Sequence, residues 1–325
     1  MSQSPDSAAK STGPGERVRR IVTLVALTVL LVAVLAGVDI LVLSRNNPAQ
    51  ALSPHYYMAL GDSLSFGYQP NLDFSDGFAD DIFNDLHRVN VTGVVNYACA
   101  GESTDTMIHG ACVGHILHHG SYTGPQLQAA IDFLTREENR GHVSPITLEI
   151  GSNDVIPDWD RATCTATASA EADLTRMDDN LTQVILPKLL AALGTPKSGP
   201  NGDLHLLNYY NPFIKECPNS APFVHELNDH LSADAAQFKI PVVDVYTAFG
   251  GDQKMAASIC TLTWVCDPRF KDIHPTHEGY KRIASAVEFA LGLPGNSPLP
   301  VIATPISAAP LPLAAFKRQS GGVLA

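Results

Sequence analysis

The chain has 325 residues, 45% hydrophobic and 17% charged, so it carries enough apolar surface for a packed core and is not a disordered protein. Its formal charge of −12 is concentrated in residues 46–293, while the first 20 residues are net positive. A body this acidic repels phosphate backbones, which excludes a nucleic-acid partner.

The N-terminus speaks to compartment. Residues 21–38 run without a charge, and the apolar stretch resumes after Asp39 and continues to residue 43. A helix over 21–43 spans about 34 Å at about 1.5 Å per residue, enough for a hydrocarbon core of about 30 Å. Arg17, Arg19 and Arg20 precede it and only Arg45 follows closely. The positive-inside bias therefore predicts a cytosolic basic tail over 1–20, a single transmembrane signal-anchor over 21–43, and everything beyond it outside the cell. A cleaved signal with a site near Ala51 would secrete the protein instead; the length of the apolar run favours the anchor. Residues 44–54 read as a polar linker, 55–293 as one globular domain, and 294–325 as a Pro/Ala-rich disordered tail.

Six cysteines, Cys99, Cys112, Cys164, Cys217, Cys260 and Cys266, all lie beyond the membrane segment, and none forms a CxxC pair. Disulfides in an oxidising compartment are the simplest reading, ahead of a zinc or thioredoxin-type site, with the connectivity open.

Within the domain, β-type apolar runs at 56–60, 91–98, 146–150, 205–210 and 240–245 alternate with helical stretches at 77–89, 125–137, 172–193, 223–238 and 278–291. Such alternation predicts right-handed βαβ units, hence a parallel sheet covered by helices on both faces, with any site beyond the carboxyl ends of the strands. The first strand runs into Gly61-Asp62-Ser63, a serine on a tight turn of the kind a nucleophile needs. Gly101 follows the second strand, Asn153 the third, and His274 precedes the last helix.

This constellation, GDSLS at 61–65, the glycine at 101, GSND at 151–154 and DIHP at 272–275, resembles the SGNH hydrolase family, also called GDSL esterases and lipases. The likeness implies a three-layer α/β/α fold with a five-stranded parallel sheet in flavodoxin-like order. It also implies Ser63 as nucleophile, His274 as its base, and an oxyanion hole from the backbone N–H groups of Ser63 and Gly101 with the Asn153 amide. Secreted members with three sequential disulfides imply Cys99–Cys112, Cys164–Cys217 and Cys260–Cys266. One departure stands out. The family's acid usually lies three residues before the histidine, where this chain has Lys271; Asp272 lies two before. An extended segment would let Asp272 reach the ring, whereas a turn would leave a backbone carbonyl to hold it.

Other residues have plainer readings. Asp62 and Asp154 fit loop-holding hydrogen bonds, and His277 is a weaker candidate base than His274. The group His109, His115, His118 and His119 fits a solvated or substrate-lining loop better than a metal site, since no carboxylate lies within it. Tyr209 and Tyr210 either line an acyl pocket or pack. The expected protein is thus a monomeric, exported serine esterase or lipase, needing no metal or cofactor, that acts on small-molecule, lipid or carbohydrate esters. Deacetylation of cell-surface carbohydrate uses the same site. A non-catalytic surface-binding module of the same fold would not need the full set of Ser63, Gly101, Asn153 and His274.

Overall fold

In the computed structural model, which describes residues 55–293 apart from 90, 111, 113–118, 121 and 195–202, the first apolar run pairs on both sides. β1 (Tyr56–Gly61) lies parallel to β2 (Gly93–Asn96) and to β3 (Val143–Glu149). β4 (Leu204–Leu207) continues from β3, and β5 (Val242–Val243) closes the sheet beyond β4. The order is β2-β1-β3-β4-β5 throughout in parallel, the flavodoxin-like order expected.

The connections carry the helices. α1 (Ser63–Phe66) and α2 (Phe78–Leu86) follow β1; α3 (Thr104–His109) and α4 (Gln126–Thr135) follow β2. α5 (Ser152–Val155), α6 (Ala170–Asn180) and α7 (Leu186–Leu193) follow β3, and α8 (Ala221–Gln237) follows β4. α9 (Val245–Ala248), α10 (Gly251–Leu262) and α11 (His277–Ala290) complete the domain. Side chains alternate between faces along a strand, yet nearly every residue of β1, β3 and β4 is buried, so both faces are covered. α2 and α10 pack on α11 in one group, while α3, α4, α6, α7 and α8 form the other.

The strands end earlier than their apolar runs because side chains take over the backbone. After Asn96 the chain is closed by an Asx turn, Ala98 N–H donating to Asn96 Oδ1 at 2.9 Å. The run expected over 205–210 stops at Leu207, since both Tyr209 backbone groups are bound by the Asn228 amide at 2.9 and 2.8 Å rather than by a strand. β5 is cut to two residues because Asp244 caps α9, accepting from Thr247 N–H at 3.0 Å. The helix expected over 172–193 starts at Ala170 and is interrupted by a π turn over Leu181–Ile185, where Pro187 cannot supply the N–H an unbroken α-helix needs. α3 and α10 were not expected. Their signals were present: Ser103 and Thr106 make reciprocal cap bonds, and Met255, Ile259 and Leu262 recur at helical spacing after Gly250-Gly251.

The sulfurs pair as Cys99–Cys112, Cys164–Cys217 and Cys260–Cys266. The expected basic tail, anchor, linker and C-terminal tail lie outside the described residues. Among the described residues, no helix is long and apolar enough to cross a membrane.

Candidate active site

β1 delivers Ser63. Gly61 sits at φ +128°, where a Cβ would lie 1.8 Å from the Glu149 carbonyl oxygen, so only glycine lets β1 turn this close to β3. Asp62 caps α1 by accepting from Leu64 N–H at 2.9 Å, and Ser63 becomes the first helical residue. Its N–H belongs to the orphan donors of a helix start. Among the described residues, neither this N–H nor that of Gly101 has an acceptor. Gly101 adopts φ +85° on the turn beyond β2, with its Cα open to space.

His274 arrives from the opposite end of the chain. Trp264 N–H donates to the His274 carbonyl at 3.0 Å, Asp272 N–H donates to the Trp264 carbonyl at 3.3 Å, and Thr263 bridges Pro275, which anchors the segment. Lys271 turns with φ 48°, and Asp272 then closes an Asx turn on His274, so its carboxylate reaches the ring from a turn and not from an extended stretch. Asp272 Oδ1 lies 2.6 Å from His274 Nδ1 and accepts the His274 N–H at 2.8 Å. With Nδ1–H donating to the carboxylate, Nε2 is left to accept the Ser63 hydroxyl, 2.8 Å away. Burial pushes the Asp272 carboxyl up, but the His274 hydrogen bonds outweigh it and hold it below the usual carboxylate range. The Tyr68 ring tilts against the His274 imidazole at 4.5 Å, and Tyr210 Oη donates to the Ile273 carbonyl at 2.7 Å.

Asn153, in the first turn of α5, donates to the Glu102 carbonyl at 2.9 Å and towards Asp62 Oδ2 at 3.2 Å. The same Asp62 oxygen accepts from Ser152 Oγ at 2.9 Å and Tyr209 Oη at 3.2 Å. Asp62 therefore does more than close its own turn: it ties α1, α5 and the end of β4 together. Asp154 receives the Thr104 N–H and hydroxyl at 2.9 and 2.6 Å and fixes the start of α3.

Ser63, Gly101, Asn153, Asp272 and His274 all border one cavity of about 260 Å³. Its far wall is apolar, built from Ile156, Phe213, Phe223, Val224 and Leu227. Tyr209 and Tyr210 line it while also packing and hydrogen bonding, so the two readings of them hold together. His277 is not at the serine; it starts α11, 3.7 Å from Asp76. Of the four histidines, His109 pairs with Asp105 at 3.3 Å and His119 Nε2 lies 2.8 Å from the Phe66 carbonyl, while His115 and His118 lie outside the described residues.

Three polar residues under the site were not anticipated. The Gln126 amide grips both backbone groups of Gly61 at 2.7 and 2.9 Å and reaches Glu102 at 3.2 Å. Burial raises Glu102 to about 7. Glu149, buried at the end of β3, is raised well above its usual range by burial first and by Asp62 second. A glutamate inside the apolar run ITLEI was the sequence signal for it.

Residues 57–287 match the family model described as GDSL-like lipase/acylhydrolase. No curated protein sequence matches the chain. Among solved structures it is similar to TesA, at 21% identity over 73% of this chain and 98% of that one, with a TM-score of 0.44. It is also similar to the lipase Lip_vut3 from a goat rumen metagenome, at 20% identity over 73% and 97%, TM-score 0.45. The acetylxylan esterase Axe2 from Geobacillus stearothermophilus matches at 15% identity over 74% and 95%, TM-score 0.47.

Proposed function

The chain belongs to the GDSL-like lipase/acylhydrolase family and is a carboxylic ester hydrolase; from that premise we propose that it cleaves its ester through an acyl-enzyme on Ser63. The observation that carries this reading is the hydrogen-bonded line from Asp272 through His274 to Ser63, at 2.6 and 2.8 Å, opening onto a cavity with two unengaged backbone N–H groups. His274 Nε2 takes the hydroxyl proton as Ser63 Oγ attacks the ester carbonyl, and Asp272 holds the ring in the tautomer that permits it. The developing oxyanion lies against the N–H groups of Ser63 and Gly101 and the Asn153 amide. The imidazolium then protonates the departing alcohol, and water, deprotonated by the same ring, releases the acid.

The acyl group occupies the apolar wall of Ile156, Phe213, Phe223, Val224 and Leu227. This surface is larger and drier than an acetyl group needs, which favours an acyl-chain ester over a sugar acetate. The domain works outside the cell, held by the 21–43 segment. The Arg17, Arg19 and Arg20 flank and the three disulfides support that placement.

Ser63→Ala tests the chemistry. Hydrolysis of a p-nitrophenyl ester series and labelling by a fluorophosphonate should both vanish, with the melting temperature nearly unchanged. Undiminished labelling of the variant contradicts the assignment.

A further inference from the structure

The end of β3 carries a carboxyl group for which the mechanism above has no use. Glu149 is 1% exposed. Its carboxyl faces the side chains of Asp62 and Tyr209 and the Ser65 amide, yet no donor reaches either oxygen with good geometry. A buried carboxylate left in that condition is costly.

What lies opposite it is also an acceptor. Asp62 already receives Leu64 N–H, Ser152 Oγ–H, Asn153 Nδ2–H and Tyr209 Oη–H, every one of them a donor. Two acceptors in a dry site bond only by sharing a proton, as in other carboxyl pairs held out of water. Tyr209, Tyr210 and, from α11, Tyr280 are the other titratable groups facing Glu149, and burial keeps each of them a neutral phenol, so none supplies a charge to offset a second carboxylate. A Glu149 that keeps its proton supplies the one donor this contact needs.

The consequence runs to Asn153, whose amide is drawn between the Glu102 carbonyl and Asp62. An N–H held tightly by Asp62 is unavailable to an oxyanion; an Asp62 already satisfied by a further donor holds it loosely. We infer that Glu149 is a positioning residue, a neutral carboxylic acid that donates to Asp62 and so leaves the Asn153 amide free to serve the oxyanion. This rests on the reading of Ser63 and Asn153 given above. Burial of Glu149, and next to it the Asp62 charge, favour the neutral form.

The test compares Glu149→Gln, which keeps a donor, with Glu149→Met, which keeps the volume and removes it. kcat and KM for a short p-nitrophenyl ester are measured at pH 7, together with fluorophosphonate labelling. At pH 7 the Gln variant should stay within about threefold of the native kcat, and the Met variant should lose about tenfold or more in kcat at unchanged KM, on the scale of a weakened oxyanion donor. A Met variant with native kcat, or a Gln variant as slow as Met, overturns the inference. Should the Met variant not fold, the Gln variant decides: kcat within about threefold of native supports the role, and a loss of about tenfold at unchanged KM overturns it. Absence of labelling in the native enzyme would instead strike the reading of Ser63.

Discussion

Asp272 stands two places before His274, and its usefulness depends on the local turn. Its Oδ1 accepts the His274 backbone N–H at 2.8 Å, and that Asx turn brings the same oxygen to within 2.6 Å of Nδ1. Arg269 does not compete for it, being engaged with Asp267 at 2.7 Å. Because the His274 bonds hold Asp272 below its ordinary range, it remains ionised at any pH where the histidine can act as a base. Asp272→Asn should therefore lower kcat by about 10⁴ between pH 6 and 9, the scale of a wrong-tautomer defect. A loss below about tenfold would show that a Ser63–His274 dyad suffices.

The strand ends position the chemistry more than the strands do. β1 reaches the site only because Gly61 passes under the Glu149 carbonyl, and β4 stops where Asn228 binds Tyr209. Gly61→Ala combines a positive φ that alanine resists with a contact of 1.8 Å to backbone that cannot yield. Strain and overpacking together predict a loss of about 3 kcal/mol or more in urea unfolding. Gly141→Ala is the control: φ is +74°, but a Cβ there meets nothing within 4 Å, so about 1–2 kcal/mol of strain is expected alone. Equal losses at the two positions would mean that the β1–β3 approach is not what constrains Gly61.

Across the domain the buried titratable groups set the pH of greatest stability. Burial raises Glu102 to about 7, and raises Asp234 and Glu288 with help from Asp178 and Asp85. A carboxyl raised on folding binds its proton more tightly in the folded chain. Its stabilisation is complete below the unfolded value of 4.5 for Glu102 and is lost as pH rises through about 7. His230, raised by Asp178, acts in the same direction. Asp158, Asp252 and Asp272 are lowered, so their contribution is present above 3.8 and lost on acidification. His205, fully buried with both ring nitrogens unpartnered, is lowered by burial and costs stability as pH falls below 6.5. The raised carboxyls outnumber it, which places the maximum near about pH 5. The urea midpoint should be higher at pH 5.5 than at pH 8, and Glu102→Gln should narrow the difference. A midpoint higher at pH 8 would show that the lowered groups dominate.

Apolar periodicity, a local property of a sequence, carried the parallel sheet and the positions just past its strand ends, while the sheet order and the parts assigned to Ser63, Gly101, Asn153 and His274 rested on the family likeness of the motifs around them. Strand lengths were not legible: Asn228 and Asp244 end β4 and β5 from outside the apolar runs, by bonds formed only after the chain is folded. The choice of Asp272 over a backbone carbonyl turned on the Asx turn it makes with the His274 N–H, one of two local arrangements the sequence left open. Glu102 and Gln126, from the one connection between β2 and β3, meet Gly61 and Asp62 from below together with Glu149 at the end of β3. Burial and charge proximity belong to the packed molecule, so only tertiary structure could give the two glutamates their raised carboxyls and all three residues their place under the site.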